Sequence, residues 1–240
     1  MTLCYQIKDD KIEIINDVFV NCKRNAISYL EDMRDFYCYL TGLALNVSFY
    51  ICDLIPALCI SGKGRIIFKS SLIAYRDAAM FLYFPHEIFH QLIGNRIKIV
   101  GRGNLWIKES LTEYLQLLYI KNKSRRLFQK QVKFYLERYH EYMDFDISIF
   151  SINQNTEDEC IKATIESKGV LIFLIYFSNI EECNIRQLLQ IMSCHKYIDV
   201  LAFLDLCKAL AINSQGMYKD ISTKRNAKYF EYKINEAISI

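Results

Sequence analysis

Apolar and polar residues alternate at a period of two near the start of the chain and at three to four over most of the rest. In residues 3–15, Tyr5, Ile7, Ile12 and Ile14 alternate loosely around the turn signal Lys8-Asp9-Asp10-Lys11, which predicts a short hairpin. From about Asp17 to Leu40, Val18, Val20, Ile27, Leu30, Met33, Phe36, Tyr37 and Leu40 recur at helical spacing and predict an amphipathic helix. Leu45–Cys52, Arg65–Phe68 and Leu72–Tyr75 read as strands of a small sheet. Helical patterning then dominates: Phe81–Leu92, Leu105–Ile120, Ser124–Met143, Cys160–Phe177, Ile185–Met192 and Tyr197–Ile212. The polar stretch 151–159 reads as a loop, with Thr156 or Asp158 placed to cap the helix after it. The pattern describes a mostly helical α+β chain, a small N-terminal α/β lobe followed by a helical C-terminal lobe.

Composition narrows the function classes. Of 240 residues, 52% are hydrophobic and 24% charged, a globular balance that excludes general disorder. Only eight Gly and two Pro disfavour a turn-rich all-β fold. The apolar run Val170–Phe177 is far shorter than the ~20 residues of a membrane helix, and the N-terminus meets acidic residues before any apolar signal core, so no membrane association is expected. A net charge of +3 from interleaved signs gives no reason to expect a nucleic-acid partner. The nine cysteines contain no CxxC spacing and read as free thiols of a reducing, cytoplasmic compartment.

Chemistry is concentrated in HEIFH, residues 86–90, and in Glu109. On a helix His86 and His90 share one face, so both imidazoles can reach one ion. Glu87 stands beside them as a general base for a metal-activated water, and Glu109, at the head of the next amphipathic helix, supplies a third ligand for one catalytic Zn2+. With four His and fourteen Glu in the chain, random placement yields roughly 0.004 such motifs. The competing reading, two structural histidines on a half-buried helix, fits a lone His better than a pair that uses half of the chain's histidines.

HEIFHQLIGN followed by LWIKESLTEY resembles the gluzincin metallopeptidases of the alanyl-aminopeptidase and leukotriene-hydrolase family, whose pattern is HExxH, eighteen residues, then Glu. Eighteen residues separate His90 from Glu109, and Gln91, Gly94, Asn95, Trp106 and Tyr114 fall in register. LIAYRD (72–77) is similar to the family's GLITYRE strand and ESKGVLIFLI to its YEKGALLL helix, so the likeness runs from about Asp17 to Leu210. It implies a thermolysin-like zincin domain over 17–240. In that domain 17–122 form the α/β lobe with the HExxH and third-ligand helices, and 123–240 form the helical lobe, after a hairpin or extension at 1–16. It also implies zinc on His86, His90 and Glu109, with Glu87 polarising the attacking water.

The sequence departs from that pattern at several positions. The family's amine-gripping Glu falls on Phe68, which puts aminopeptidase specificity in doubt and makes Phe68 a candidate substrate contact. The oxyanion-stabilising Tyr falls on Glu166, and a carboxylate stabilises an oxyanion only if protonated. The Gly after the last ligand is Ser110, and the acid seven residues beyond Glu109 is Gln116, a weaker orienter of a ligand histidine. The family's preceding β domain and its C-terminal helical domain have no counterpart here, which implies an open cleft or a protein partner covering it. His140 and His195 read as solvated residues, and the basic run 121–126 as a helix-boundary surface. The expectation is a zinc-dependent hydrolase of peptide bonds; the alternative is a non-catalytic zinc-binding relative acting as a binding or regulatory module.

Overall fold

A computed structural model describes residues 1–9, 11–18, 26–152 and 158–238. It divides into two compact units, Met1–Arg96 and Ile97–Ile240.

The first unit is built on a five-stranded mixed sheet. Strands β1 (Thr2–Lys8) and β2 (Lys11–Ile14) form the expected hairpin, with Lys8 opposite Lys11. At its turn Asp9 takes a left-handed conformation (φ 48°) that its short polar side chain tolerates. The sheet order is β2-β1-β3-β5-β4, with β3 (Val47–Ile51) parallel to β5 (Arg65–Phe68) and β4 (Cys59–Gly62) antiparallel to β5 at the edge. Tyr5, Ile7, Val47, Phe49, Ile66 and Phe68 are at most 2% exposed and form the apolar layer of this unit.

Three elements of the first unit differ from the sequence reading. Helix α1 spans Ala26–Thr41, whereas the expected helix began near Asp17. Asp17 and Val18 instead bind the Tyr5 hydroxyl: it donates to Asp17 Oδ1 (2.7 Å) and accepts from the Val18 N–H (3.0 Å). Positions 19–25, including Val20, lie outside the described residues. The stretch 72–75, expected as a strand, belongs to a 3-10 helix, Ser70–Tyr75. Both edges of β5 are already occupied, by β3 and β4, and Asp53 accepts the N–H and hydroxyl of Ser70 (2.7 and 2.9 Å), which starts a turn. Strand β4 went unread although Gly62-Lys63-Gly64 is a hairpin signal, with Gly64 at φ 69°.

From Arg76 the chain is helical: α2 (Arg76–Ala78), a π-helical turn (Ala79–Tyr83) and α3 (Phe84–Phe89). The Phe84 ring packs on Phe49 and Phe68 of the sheet, each at 5.1 Å, and Phe89 packs on Phe36 and Tyr37 of α1. Helix α3 is therefore clamped between sheet and α1.

The second unit is helical. A π-helical turn (Trp106–Leu111) runs into α4 (Thr112–Lys123), followed by α5 (Arg125–Tyr142) and α6 (Glu159–Phe177). Ser124 caps α5, and Asp158, one of the two expected caps, accepts from the Cys160 and Ile161 N–H groups of α6. Thr156 lies outside the described residues. The C-terminal half of α6, from Gly169 to Phe177, is apolar and largely buried: Trp106 stacks on its Phe173 at 5.3 Å and 13°, and Tyr114 contacts Phe173 and Phe177.

Helix α7 spans Glu182–Ser193. Tyr197 and Ile198, expected as helix, form strand β7 parallel to β6 (Lys98–Ile99); α8 begins only at Val200, capped by Asp199. Helices α9 (Ser214–Ser222) and α10 (Ala227–Ile238) were not read from the sequence. A buried polar network anchors their junction. Lys168 Nζ lies 2.8 and 3.0 Å from the Asp146 carboxylate and 2.8 Å from the Thr223 carbonyl, and Asp146 also accepts from Tyr139 and the Arg225 N–H. No helix among the described residues is long and apolar enough to cross a membrane.

Candidate metal centre

The histidine pair sits on an irregular helix. Pro85 lacks an N–H, and its ring meets the carbonyl four residues back in a regular α-helix. The preceding π-turn, in which the Phe84 N–H reaches Ala79 O five residues back, absorbs this mismatch. His86 and His90 then lie on consecutive turns with their Nε2 atoms 3.0 Å apart and their rings perpendicular (89°). His90 is 7% exposed, and its Nδ1 lies 3.0 Å from the Ile93 carbonyl. A carbonyl only accepts, so Nδ1 carries the proton and Nε2 presents its lone pair. Two nitrogens bound to one tetrahedral Zn2+ at ~2.0–2.1 Å are about 3.3 Å apart. The pair fits a shared ion, and the Ile93 carbonyl is the outer partner such a ligand needs.

Glu87 is buried at 7% exposure. Burial pushes the Cys59 thiol of β4 well above its usual range, and the nearby Glu87 carboxylate pushes it further. The main chain at Glu87 is tied to the same strand. Ser61 Oγ donates to the Glu87 carbonyl (3.1 Å) and accepts from Gln91 Nε2 (2.7 Å) and Asn95 Nδ2 (3.1 Å), so its one donor and both lone pairs are used. Gln91 completes the clamp, donating to the Gly62 carbonyl (3.1 Å) and accepting from the Gly64 N–H (2.8 Å). Sequence reasoning found Gln91 and Asn95 as matched motif positions but missed Ser61; nothing in its local sequence marks it.

Glu109 lies in the second unit, in the π-turn Trp106–Leu111, with Lys108 Nζ 2.7 Å from its Oε1. The turn is braced from behind by α6. Ser110 is fully buried, and a Cβ on Gly169 would stand 2.0 Å from Ser110 Oγ and 2.7 Å from Trp106 Cδ1. Glycine at 169 and serine at 110 are one packing solution. Gln116, two turns on from Glu109 along the same helical run, is 3% exposed.

Two candidates have other roles than the sequence suggested. The Phe68 side chain is fully buried against Phe84, so it is core and has no surface to offer a substrate; in a strand successive side chains alternate, and at 68 the inward side won. Glu166 is ion-paired with Arg138 of α5 at 3.1 Å. As an ion-paired carboxylate it accepts hydrogen bonds and donates none, so it offers an oxyanion nothing.

No family model and no curated protein matches the sequence. Solved structures do. An M1 zinc metallopeptidase from Deinococcus radiodurans, in a variant bound to a Tyr-Ser-Ala substrate, superposes with a TM-score of 0.67 at 12% identity over 93% of this chain and 52% of the other. The same organism's M1 zinc metallopeptidase gives 0.65 at 13% identity, over 85% and 46%. A two-domain M1 zinc metallopeptidase variant bound to L-tryptophan gives 0.64 at 13%, over 85% and 46%. The chain spans about half the length of these structures. At this identity the likeness concerns the fold: the chain is built as the M1 zinc metallopeptidases are, over about half of their length.

Proposed function

We propose that this chain is a zinc-dependent peptidase in which His86, His90 and Glu109 hold one Zn2+ and Glu87 is the general base. The observation that carries the reading is the pair of Nε2 atoms 3.0 Å apart, with His90 Nδ1 engaged by the Ile93 carbonyl. The eighteen residues between His90 and Glu109 support the third ligand. A bound Zn2+ supplies a Lewis acid and brings the pKa of a coordinated water towards neutrality. Glu87 takes the proton of the attacking water on its carboxylate and returns it to the leaving amine. His90 stays the Nδ1–H tautomer throughout because the Ile93 carbonyl accepts the hydrogen bond from that proton.

The substrate on this reading is a peptide, the chemistry seen in the fold neighbours. The described cysteines are all free thiols, in keeping with a reducing compartment. Zinc content, together with hydrolysis of a mixed peptide library followed by mass spectrometry with and without a chelator, tests the proposal. The Glu87→Gln variant is expected to keep the metal and lose turnover, since the amide is isosteric and takes no proton. Wild-type turnover in that variant would remove the mechanism.

A further inference from the structure

Residues 114–136 contain no Asp or Glu, yet carry Lys121, Lys123, Arg125, Arg126, Lys130 and Lys133. With a net charge of +3 for the whole chain, everything outside this stretch is net negative. All six cations are exposed. Lys133 faces Glu137 at 3.5 Å, whereas Arg125, Arg126 and Lys130 meet no carboxylate among the described residues.

Local structure explains only part of the cluster. Lys121 and Lys123 end α4, where positive charge suits the helix dipole. Arg125 and Arg126 open α5, the end at which cations are unfavourable, and its first turn holds no acidic residue. Charge is thus retained there against the helix's own preference. Between the two helix ends lies a hollow of about 300 Å³. It is lined by Lys121, Arg125, Phe128, Gln129 and Ile238, with Lys121 Nζ 5.6 Å above the Phe128 ring.

We propose that this surface docks an acidic, Asp/Glu-rich segment of a partner protein, one of whose carboxylates enters the hollow between Lys121 and Arg125. A guanidinium presents two parallel donors that match a carboxylate, and the Lys121 ammonium, held above the Phe128 ring, adds a second positive charge. An anionic bilayer fits less well. The apolar face of α5 (Phe128, Val132, Tyr135, Tyr139) is buried inside its own unit, which leaves Phe134 as the one exposed large apolar side chain of α5, too little to insert among acyl chains. The open rim of the hollow is a notch for one projecting group, and it lacks the row of stacking aromatics that a single nucleic-acid strand uses.

The test is fluorescence anisotropy of a labelled (Glu-Gly)6 peptide with the full chain at 20 and 200 mM salt. A 12-nucleotide single-stranded DNA and phosphatidylserine vesicles are measured in parallel. Arg125→Glu/Arg126→Glu/Lys130→Glu should weaken peptide binding at least tenfold at low salt, and Arg125→Gln alone about threefold. The control Lys219→Glu/Lys228→Glu, which changes exposed lysines elsewhere in the same unit, should leave it unchanged. The triple variant places acids at the positive end of α5, so the helix is retained, and a thermal melt verifies it. Peptide binding equally weakened by the control, tighter binding of DNA or vesicles than of peptide, or no peptide binding at 20 mM salt would each overturn the proposal.

Discussion

Ser61 Oγ lies 3.1 Å from the carbonyl oxygen of Glu87, so the edge strand of the sheet is fastened to the helix at the residue proposed as general base. The carbonyls of a helix's last turn need partners from outside the helix, and here a hydroxyl supplies one while collecting two amide donors from the same helix end. Ser61→Ala leaves these groups without that partner and should cost about 1–3 kcal/mol. Ser61→Thr keeps the hydroxyl and suits a strand, and should recover most of the loss. Urea unfolding of the three proteins measures it, and an alanine variant as stable as wild type would show that water replaces the hydroxyl at no cost.

His90→Ala should abolish stoichiometric zinc binding while leaving the chain folded, because the change removes one proposed ligand atom, Nε2, and the hydrogen bond of Nδ1 to the Ile93 carbonyl. Metal analysis after dialysis against dilute zinc decides it. Zinc held at the wild-type level would mean that the ion, if any, sits elsewhere.

The stretch Arg65–Lys69 contains no carboxylate, and Phe68 is buried within it. A substrate ammonium therefore finds no counter-charge on β5. Acetylating the N-terminus of a cleaved peptide should change kcat/KM less than tenfold, about 1.4 kcal/mol. A hundredfold loss on acetylation would reveal an amine site provided by other residues.

Gly169→Ala should destabilise the second unit although alanine is the better helix former by about 1 kcal/mol. The added methyl would meet Ser110 Oγ at 2.0 Å and Ser110 Cβ at 2.6 Å, and neither belongs to a flexible chain end. Overpacking of this kind costs about 1–3 kcal/mol. Adding Ser110→Gly in the same chain removes the two shortest contacts and should return part of the stability; thermal unfolding of the single and double variants checks the coupling.

Tyr37 is buried, and its phenol is pushed up to about 12 mainly by that burial, while Arg96 acts in the opposite sense. Between pH 10 and 12 the unfolded chain loses this proton and the folded chain keeps it. Stability therefore falls as pH rises, by about 1.4 kcal/mol per unit for each such group. Burial likewise raises Tyr114, Tyr135 and Tyr139, which adds to the slope. Urea unfolding from pH 9.5 to 11.5 should show the decline, and Tyr37→Phe should make it shallower.

The one-face pair His86/His90 was legible because a helical period is a local property: four residues return the chain to the same side whatever surrounds it. The same holds for the Asp158 cap and for the hairpin around Asp9, where a side chain and its partner lie within a few residues. What the sequence left open depended on partners distant along the chain. The stretch 70–75 has a strand-like composition, yet β3 and β4 had already taken both edges of β5, so it coiled. Phe68 was placed by counting, but which face of β5 is core follows from where Phe84 packs. Tyr197 and Ile198 pair with residues nearly a hundred positions earlier, and Ser61 reaches Glu87, Gln91 and Asn95 across 26 to 34 residues. Periodicity is written into neighbours, whereas edge occupancy, facing and hydrogen-bond closure exist only once separate elements meet.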